Sequence, residues 1–330
     1  MLSLKDMQQE SGQDKLGRRP RDRRQPTGKR VTPQERDLLW FQKLHEHGPL
    51  SSTYLHGFSK HLRRNEKRAR DRLTDLFHET NTPHNGAYLD RPWQQFQTYD
   101  ARYQNLVADL TPAGEQALKD TGLWSGHGHS HAGPWIHKHM VACITASIEL
   151  ATLADPNLTF IAGSTILERA QTSLRYTVPF ENPKSGKTEK VDLIPDALFG
   201  LEYNNEGKKT YRFFLVEADR ASEPSRAAKF NRKSHFRSIL QYREYVGLGL
   251  YKDHLNLTAG ILVLNVTTSE QTMRKMIELT SEVSPRGNSY MLFQVAGEFG
   301  RFFKPPKPML DLTIDQWHRA GLEEMHIATA

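Results

Sequence analysis

Apolar positions along the chain fall into two series of elements, on either side of a stretch dense in glycine and histidine at residues 125–134. In the first series Leu38, Leu39, Phe41 and Leu44 recur at helical spacing behind Thr32-Pro33-Gln34-Glu35, which offers an N-cap, a first-turn proline and a capping-box acid. That helix runs to His47, and Gly48 ends it. A short helix over 51–58 and a third over 60–77 are predicted next. The third turns Ala69, Leu73 and Leu76 inward. Residues 86–89 and 97–110 supply two strands, and Thr111-Pro112-Ala113-Gly114-Glu115 caps another helix.

The second series alternates helices and strands. Helices are predicted over 140–153, 164–170, 226–247 and 270–282, and strands over 158–161, 172–180, 193–203, 211–217, 260–266 and 290–295. Asn204, Asn205 and Gly207 separate two of these strands and suit the turn of an antiparallel hairpin. Ile261-Leu262-Val263-Leu264 is apolar at every position, as a strand covered on both faces must be. After residue 300, Lys304-Pro305-Pro306-Lys307-Pro308 forms an extended strap, and a last helix is predicted around 315–324, anchored by Trp317.

The 330 residues suit about two domains, and 37% hydrophobic content is enough for a core. A formal net charge of +7 favours an anionic partner. A single cysteine, Cys143, excludes an internal disulfide framework. With no membrane-length apolar run and no signal-like start, a soluble cytoplasmic protein is expected.

Charge is distributed unevenly. Residues 1–30 form a basic arm, expected to be disordered and to serve either as a solubilising tail or as a tether to phosphates. In the third helix Arg63, Arg64, Lys67, Arg68, Arg70 and Arg72 cover the faces not turned inward. Three helices in this order, followed by two strands, form a winged helix-turn-helix over 31–124, with the basic helix lying in a DNA major groove. The alternative is a small helical domain with a solvated basic face.

Candidate chemistry concentrates in Val191–Arg220. Asp196 lies near the start of the hairpin's first strand and Glu217 near the end of its second, so antiparallel pairing brings both to one end. Asp219, two residues on, shares the face of Glu217. Three acids crowded together repel unless a proton, a base or a cation compensates, which marks a candidate site for a divalent metal with oxygen ligands. Taken singly, each acid is a solvated strand end or a partner for Arg212 or Arg220. Lys229, Lys233 and Arg237, spaced by four on the predicted 226–247 helix, would share one face and balance charge on a phosphate in the transition state. His137 and His139 open the 140–153 helix region, and Glu149 lies near its other end. His127, His129 and His131 could hold a transition metal but fit a flexible linker better.

Pro195-Asp196 followed by Glu217-Ala218-Asp219 resembles the PD-(D/E)xK nucleases, with Asp219 where that pattern carries lysine. The basic helix, the Leu110-Thr111-Pro112-Ala113-Gly114 segment, the histidine-bearing helix, Phe213-Phe214-Leu215-Val216-Glu217-Ala218-Asp219-Arg220 and the Gln241-Tyr242 pair together resemble the replication-relaxation family of plasmids and mobile elements. The acid-x-acid-arginine form is usual in that family, and the layout is similar to the C class of mobilisation relaxases. The resemblance implies an α/β (α+β) chain: a winged helix, then a PD-(D/E)xK domain over 135–300 and a terminal strap over 301–330. It implies DNA as partner, with other mobilisation or replication proteins in addition. It also implies metal-assisted strand nicking at Asp196, Glu217 and Asp219, with His137 assisting. The mechanism expected from the residues puts Mg²⁺ or Mn²⁺ on the three acids to activate water or a side chain, sets Lys233 or Lys229 against the developing charge, and leaves Tyr242 as either a nucleophile or core packing. The rival expectation is a non-catalytic DNA-binding regulator built on a degenerate nuclease scaffold.

Overall fold

The computed structural model describes residues 19–62, 64–97, 104–129, 133–183, 185–227, 232–299 and 303–329. The chain divides into two compact units, Met1–Trp124 with Phe303–Lys307, and Ser125–Phe302 with Pro308–Ala330.

In the first unit, α1 (Glu35–His47) opens on Gln34 rather than Thr32, through a capping box in which the Gln34 amide donates to the Asp37 carboxylate at 2.9 Å. Gly48 ends it at φ 105°, a conformation that favours glycine. Strand β1 (Leu50–Ser51), α2 (Ser52–Ser59), α3 (Glu66–His78), β2 (Leu89–Asp90), β3 (Val107–Leu110) and α4 (Pro112–Asp120) follow. The three short strands pair antiparallel in the order β1-β3-β2. Trp40, Phe41, Leu44, Leu55 and Leu76 are fully buried, and the Trp40 indole N–H donates to the Leu55 carbonyl at 2.6 Å. The strand predicted over 97–110 is shorter than expected: residues 93–96 form a 3-10 turn, 98–103 lie outside the described residues, and pairing is confined to β3.

The described part of the basic arm departs from the expected disorder. Arg19 pairs with Asp75 and Glu79, Lys29 with Asp75, and Arg24 with Asp90. The Gln25 amide donates to His78 Nδ1 at 2.9 Å, and the Val31 amide to the Asn81 carbonyl at 3.0 Å. A charge-rich segment stays unfolded only while nothing complements it. Here acids at the end of α3 do. Residues 1–18 lie outside the described residues.

The second unit contains α5 (Trp135–Thr152), β4 (Leu158–Ala162), α6 (Gly163–Ala170), β5 (Tyr176–Glu181), β6 (Thr188–Leu193), β7 (Ala197–Asn205), β8 (Lys208–Asp219), α7 (His235–Gly247), α8 (Leu250–Leu255), β9 (Ile261–Thr267), α9 (Glu270–Val283) and β10 (Met291–Val295). Five strands form one mixed sheet in the order β10-β9-β8-β7-β4. Strands β8, β9 and β10 run parallel, while β7 and β4 are antiparallel to their neighbours. The β7–β8 hairpin closes through Glu206 and Gly207, at φ 52° and 86°, the left-handed pair that matches strand twist. One face packs on α6, α7 and α9 through Leu198, Phe213, Leu215, Ile239 and Met276. Helix α5, absent from that cluster, packs on β4, β7 and β8 from the other side.

Three predicted elements differ. The strand over 172–180 does not enter the sheet: β5 pairs only with β6, which the prediction lacked, and Ile194-Pro195 interrupts the segment drawn as one strand over 193–203. The helix drawn from Arg226 begins at His235, capped by Ser234, whose hydroxyl accepts from the Arg237 amide at 3.3 Å. Lys233 therefore precedes the helix, and Lys229 lies outside the described residues, so no shared helical face joins Lys229, Lys233 and Arg237. No α-helix forms over 315–324: a 3-10 turn at Leu310–Thr313 precedes isolated bridges that pair Trp317 with Met325 and His318 with Phe293. Trp317 is fully buried, its N–H donating to the Leu312 carbonyl at 2.8 Å.

Candidate functional site

Pairing of Ala197 with Val216 in the hairpin, continued by one residue, sets Asp196 opposite Glu217. The Asp196 amide donates to the Val216 carbonyl at 2.9 Å, and its carboxylate accepts from the Ala218 amide at 2.8 Å. The other oxygen of that carboxylate meets His137 Nε2, in the first turn of α5, at 2.9 Å. This contact with Asp196 holds the His137 pKa above its ordinary value, although burial opposes it. Asp196 is thus fixed on both oxygens by groups from two elements.

Alternation along β8 turns Phe213, Leu215 and Glu217 toward α7, where the Tyr242 hydroxyl donates to the Glu217 carboxylate at 2.5 Å. Tyr242 is fully buried, and its pKa is raised well above the ordinary value by burial and then by Glu217. Burial, and next the charge of Asp196, push the Glu217 carboxyl up to about 8. Lys233 approaches Glu217 at 3.8 Å and Glu223 at 3.6 Å with its side chain half exposed. Burial lowers the Lys233 pKa, but Glu217, Glu223 and Asp196 outweigh it and the net shift is upward.

Asp219 stands apart. One carboxylate oxygen accepts from the amides of Ser222 and Glu223 at 3.1 and 3.3 Å, and the other lies 3.4 Å from His235 Nε2. Burial works to raise its pKa, but His235 and the Ser222 amide prevail and the net shift is downward. Among the described residues, Asp196, Glu217 and Asp219 do not bring three ligand atoms within 4.8 Å of one another. The expected three-acid cluster is therefore a two-acid one: Asp219 shares the strand face of Glu217, but its carboxylate is drawn to the turn after β8 and the start of α7. His139 is buried and stacked on Trp135 rather than turned toward Asp196. Glu149 is twelve residues from His137 along α5, about 18 Å at the helical rise, which keeps it out of the site.

The structure gathers Asp196, Glu217, Lys233, His137 and Tyr242. The contributions of Tyr242 as the partner of Glu217, of His235 and of Glu223 were missed from sequence. Only the helical phase of Tyr242 carried a trace of it, since a tyrosine on the buried stripe of α7 must find a partner for its hydroxyl.

In the first unit Arg64, Lys67, Arg68 and Arg70 are exposed on or just before α3. Arg70 approaches Glu66 at 3.5 Å, whereas Arg64, Lys67 and Arg68 form no ion pair among the described residues. Arg72 does not join the exposed basic face on which the sequence places it. Its guanidinium clasps buried Asp37 of α1 at 2.6 and 3.0 Å and donates to the Thr32 carbonyl at 2.7 Å, so it holds the fold rather than the basic face. Arg63 lies outside the described residues.

A family profile described as replication-relaxation matches residues 41–261. The chain belongs to the replication-relaxation family. Membership places it with replication or mobilisation of plasmids and mobile elements and implies an interaction with DNA. The matched span of this replication-relaxation protein includes α3 and every residue of the Asp196–Glu217 cluster. No curated protein and no solved structure matches the chain. Among the described residues, no helix is long and apolar enough to cross a membrane.

Proposed function

We propose that the second unit is a divalent-cation-dependent DNA-nicking module of the PD-(D/E)xK type, and that the first is a winged helix that seats α3 on DNA. The observation that carries this reading is the placement of Asp196 opposite Glu217, whose carboxyl is pushed up to about 8 by burial and next by the charge of Asp196. Two acids forced together in a half-buried place are a poor structural choice, and a cation relieves them. The donor set suits Mg²⁺ or Mn²⁺, which bind through one or two carboxylates and complete their shell with water and phosphate oxygens. When bound, the cation would polarise a phosphate oxygen and lower the pKa of a water molecule.

The chain's own groups divide the remaining work. His137 and the Ala218 amide orient Asp196, and Tyr242 orients Glu217. Lys233 supplies positive charge against the negative charge that a phosphate gains in the transition state, in place of the lysine that position 219 lacks. Asp219 and His235 fix the turn after β8. Tyr242, buried and paired with Glu217, is a positioning residue and not the nucleophile. On the first unit Arg64, Lys67, Arg68 and Arg70 would contact phosphates, as their exposure permits.

A second reading, a DNA-binding regulator with a degenerate nuclease scaffold, is favoured by the sequestration of Asp219. Nicking of supercoiled plasmid with Mg²⁺ or Mn²⁺ separates the two. Wild type should nick while Asp196→Ala and Glu217→Ala lose at least tenfold. Equal rates for all three proteins would remove these acids from the chemistry.

A further inference from the structure

Within the first unit, α3, β2 and residues 104–108 enclose a cavity of about 390 Å³. This is near the lower end of the volumes of small-molecule sites, roughly 300–1,000 Å³. Three arginines line it, Arg21, Arg70 and Arg91, and none of the lining residues is acidic.

Arg91 is the unusual member. It is only 8% exposed, and no carboxylate among the described residues forms an ion pair with it. Its guanidinium donates to the Arg21 carbonyl at 3.0 Å and stacks 4.1 Å above the Phe77 ring. Burial, then the charges of Arg21, Arg19 and Arg24, depress its pKa to about 9. Arg19 and Arg24 are balanced by Asp75, Glu79 and Asp90, but a buried cation that lacks a carboxylate of its own is destabilising unless a counter-charge arrives. Ion pairs with Asp75, Glu79 and Asp90 hold down the arm that supplies Arg19, Arg21 and Arg24, so the position of Arg21 beside Arg91 is built into the fold. Arg70 reaches the cavity from an exposed position on α3. Leu73 and the less buried Leu106 supply apolar wall between the cationic groups.

We propose that this cavity is a phosphate-ester site, in which Arg91 from inside and Arg70 at the mouth hold the phosphate of a nucleotide-sized ligand whose apolar surface meets Leu73 and Leu106. A guanidinium binds phosphate through paired N–H groups, and its fixed planar geometry loses little freedom in doing so. The ligand is a free nucleotide or the terminal nucleotide of a strand, which share this chemistry. The site needs neither the cation nor the nicking activity of the second unit.

The test is calorimetric titration of the full chain with deoxyadenosine 5′-monophosphate, deoxyadenosine and inorganic phosphate at constant ionic strength, with binding to a DNA duplex measured in parallel. The monophosphate should bind at one site at least tenfold more tightly than the nucleoside, and inorganic phosphate should compete. Arg70→Gln, at an exposed position that leaves the fold intact, should weaken it severalfold, and Arg91→Gln more. Arg274→Gln, an equal loss of charge on α9, should not. Displacement by an oligonucleotide bearing a 5′-phosphate, but not by its unphosphorylated form, identifies a strand end. Binding of the mononucleotide alone identifies a free ligand, and either result supports the site. Monophosphate binding no tighter than nucleoside, or equal binding by Arg70→Gln and Arg274→Gln, overturns it. A protein that binds duplex normally while failing these tests leaves the DNA-binding reading standing.

Discussion

Replacing Glu217 by glutamine should stabilise the protein, and by more as pH rises. The folded pKa of Glu217 is raised from the ordinary 4.5 to about 8. Between those values the folded state keeps a proton that the unfolded chain has released. Stability is therefore full below pH 4.5 and declines as pH rises through that window. At roughly 1.4 kcal/mol per unit, the penalty at pH 7 is about 3 kcal/mol. Glutamine carries no charge to bury, and its amide oxygen can still accept from Tyr242. In thermal unfolding without divalent cations, Glu217→Gln and wild type should coincide near pH 4. At pH 7 the variant should melt higher by roughly 6–12 °C, taking 2–4 °C per kcal/mol for a domain of 150–250 residues. Saturating Mn²⁺ should close the gap from the wild-type side, because a cation takes the place of the proton. A variant equal to or less stable than wild type from pH 5 to 8 would mean that Glu217 is not held protonated, and the case for a charge-relieving cation would fail with it.

Other expectations follow from single interactions. Asp37→Ala strands the Arg72 guanidinium and should destabilise the first unit by about 3–5 kcal/mol in urea unfolding; a loss under 1 kcal/mol would show the pair to be dispensable. The triple variant Arg64→Gln, Lys67→Gln, Arg68→Gln should weaken duplex binding and flatten the dependence of log K on log salt by roughly 0.9 for each phosphate no longer neutralised. An unchanged slope would place the DNA elsewhere. A Cβ at Gly163 would lie 2.1 Å from the Leu198 carbonyl oxygen, so Gly163→Ala should shift α6 from β7 and reduce stability by about 1–3 kcal/mol, read by denaturant midpoint.

What the sequence determined is local. The β7–β8 hairpin was legible because two features within a few residues, a turn cluster and the flanking apolar runs, agree on it. Strand β9 was legible because burial on both faces leaves no polar position. The placement of Asp196 and Glu217 at one end of the hairpin followed from antiparallel pairing alone. Tertiary structure decided everything that depended on a partner distant in the chain. Arg19, Arg24 and Lys29 have the composition of a free arm, and only the acids near the end of α3 and in β2 hold them down. Arg72 belongs by spacing to the basic face, yet Asp37 of α1 claims it. Asp219 shares a strand face with Glu217, yet His235 and two backbone amides draw it away. Spacing shows which way a side chain leaves its own element, but charges and hydrogen-bond donors brought near by folding determine where it comes to rest.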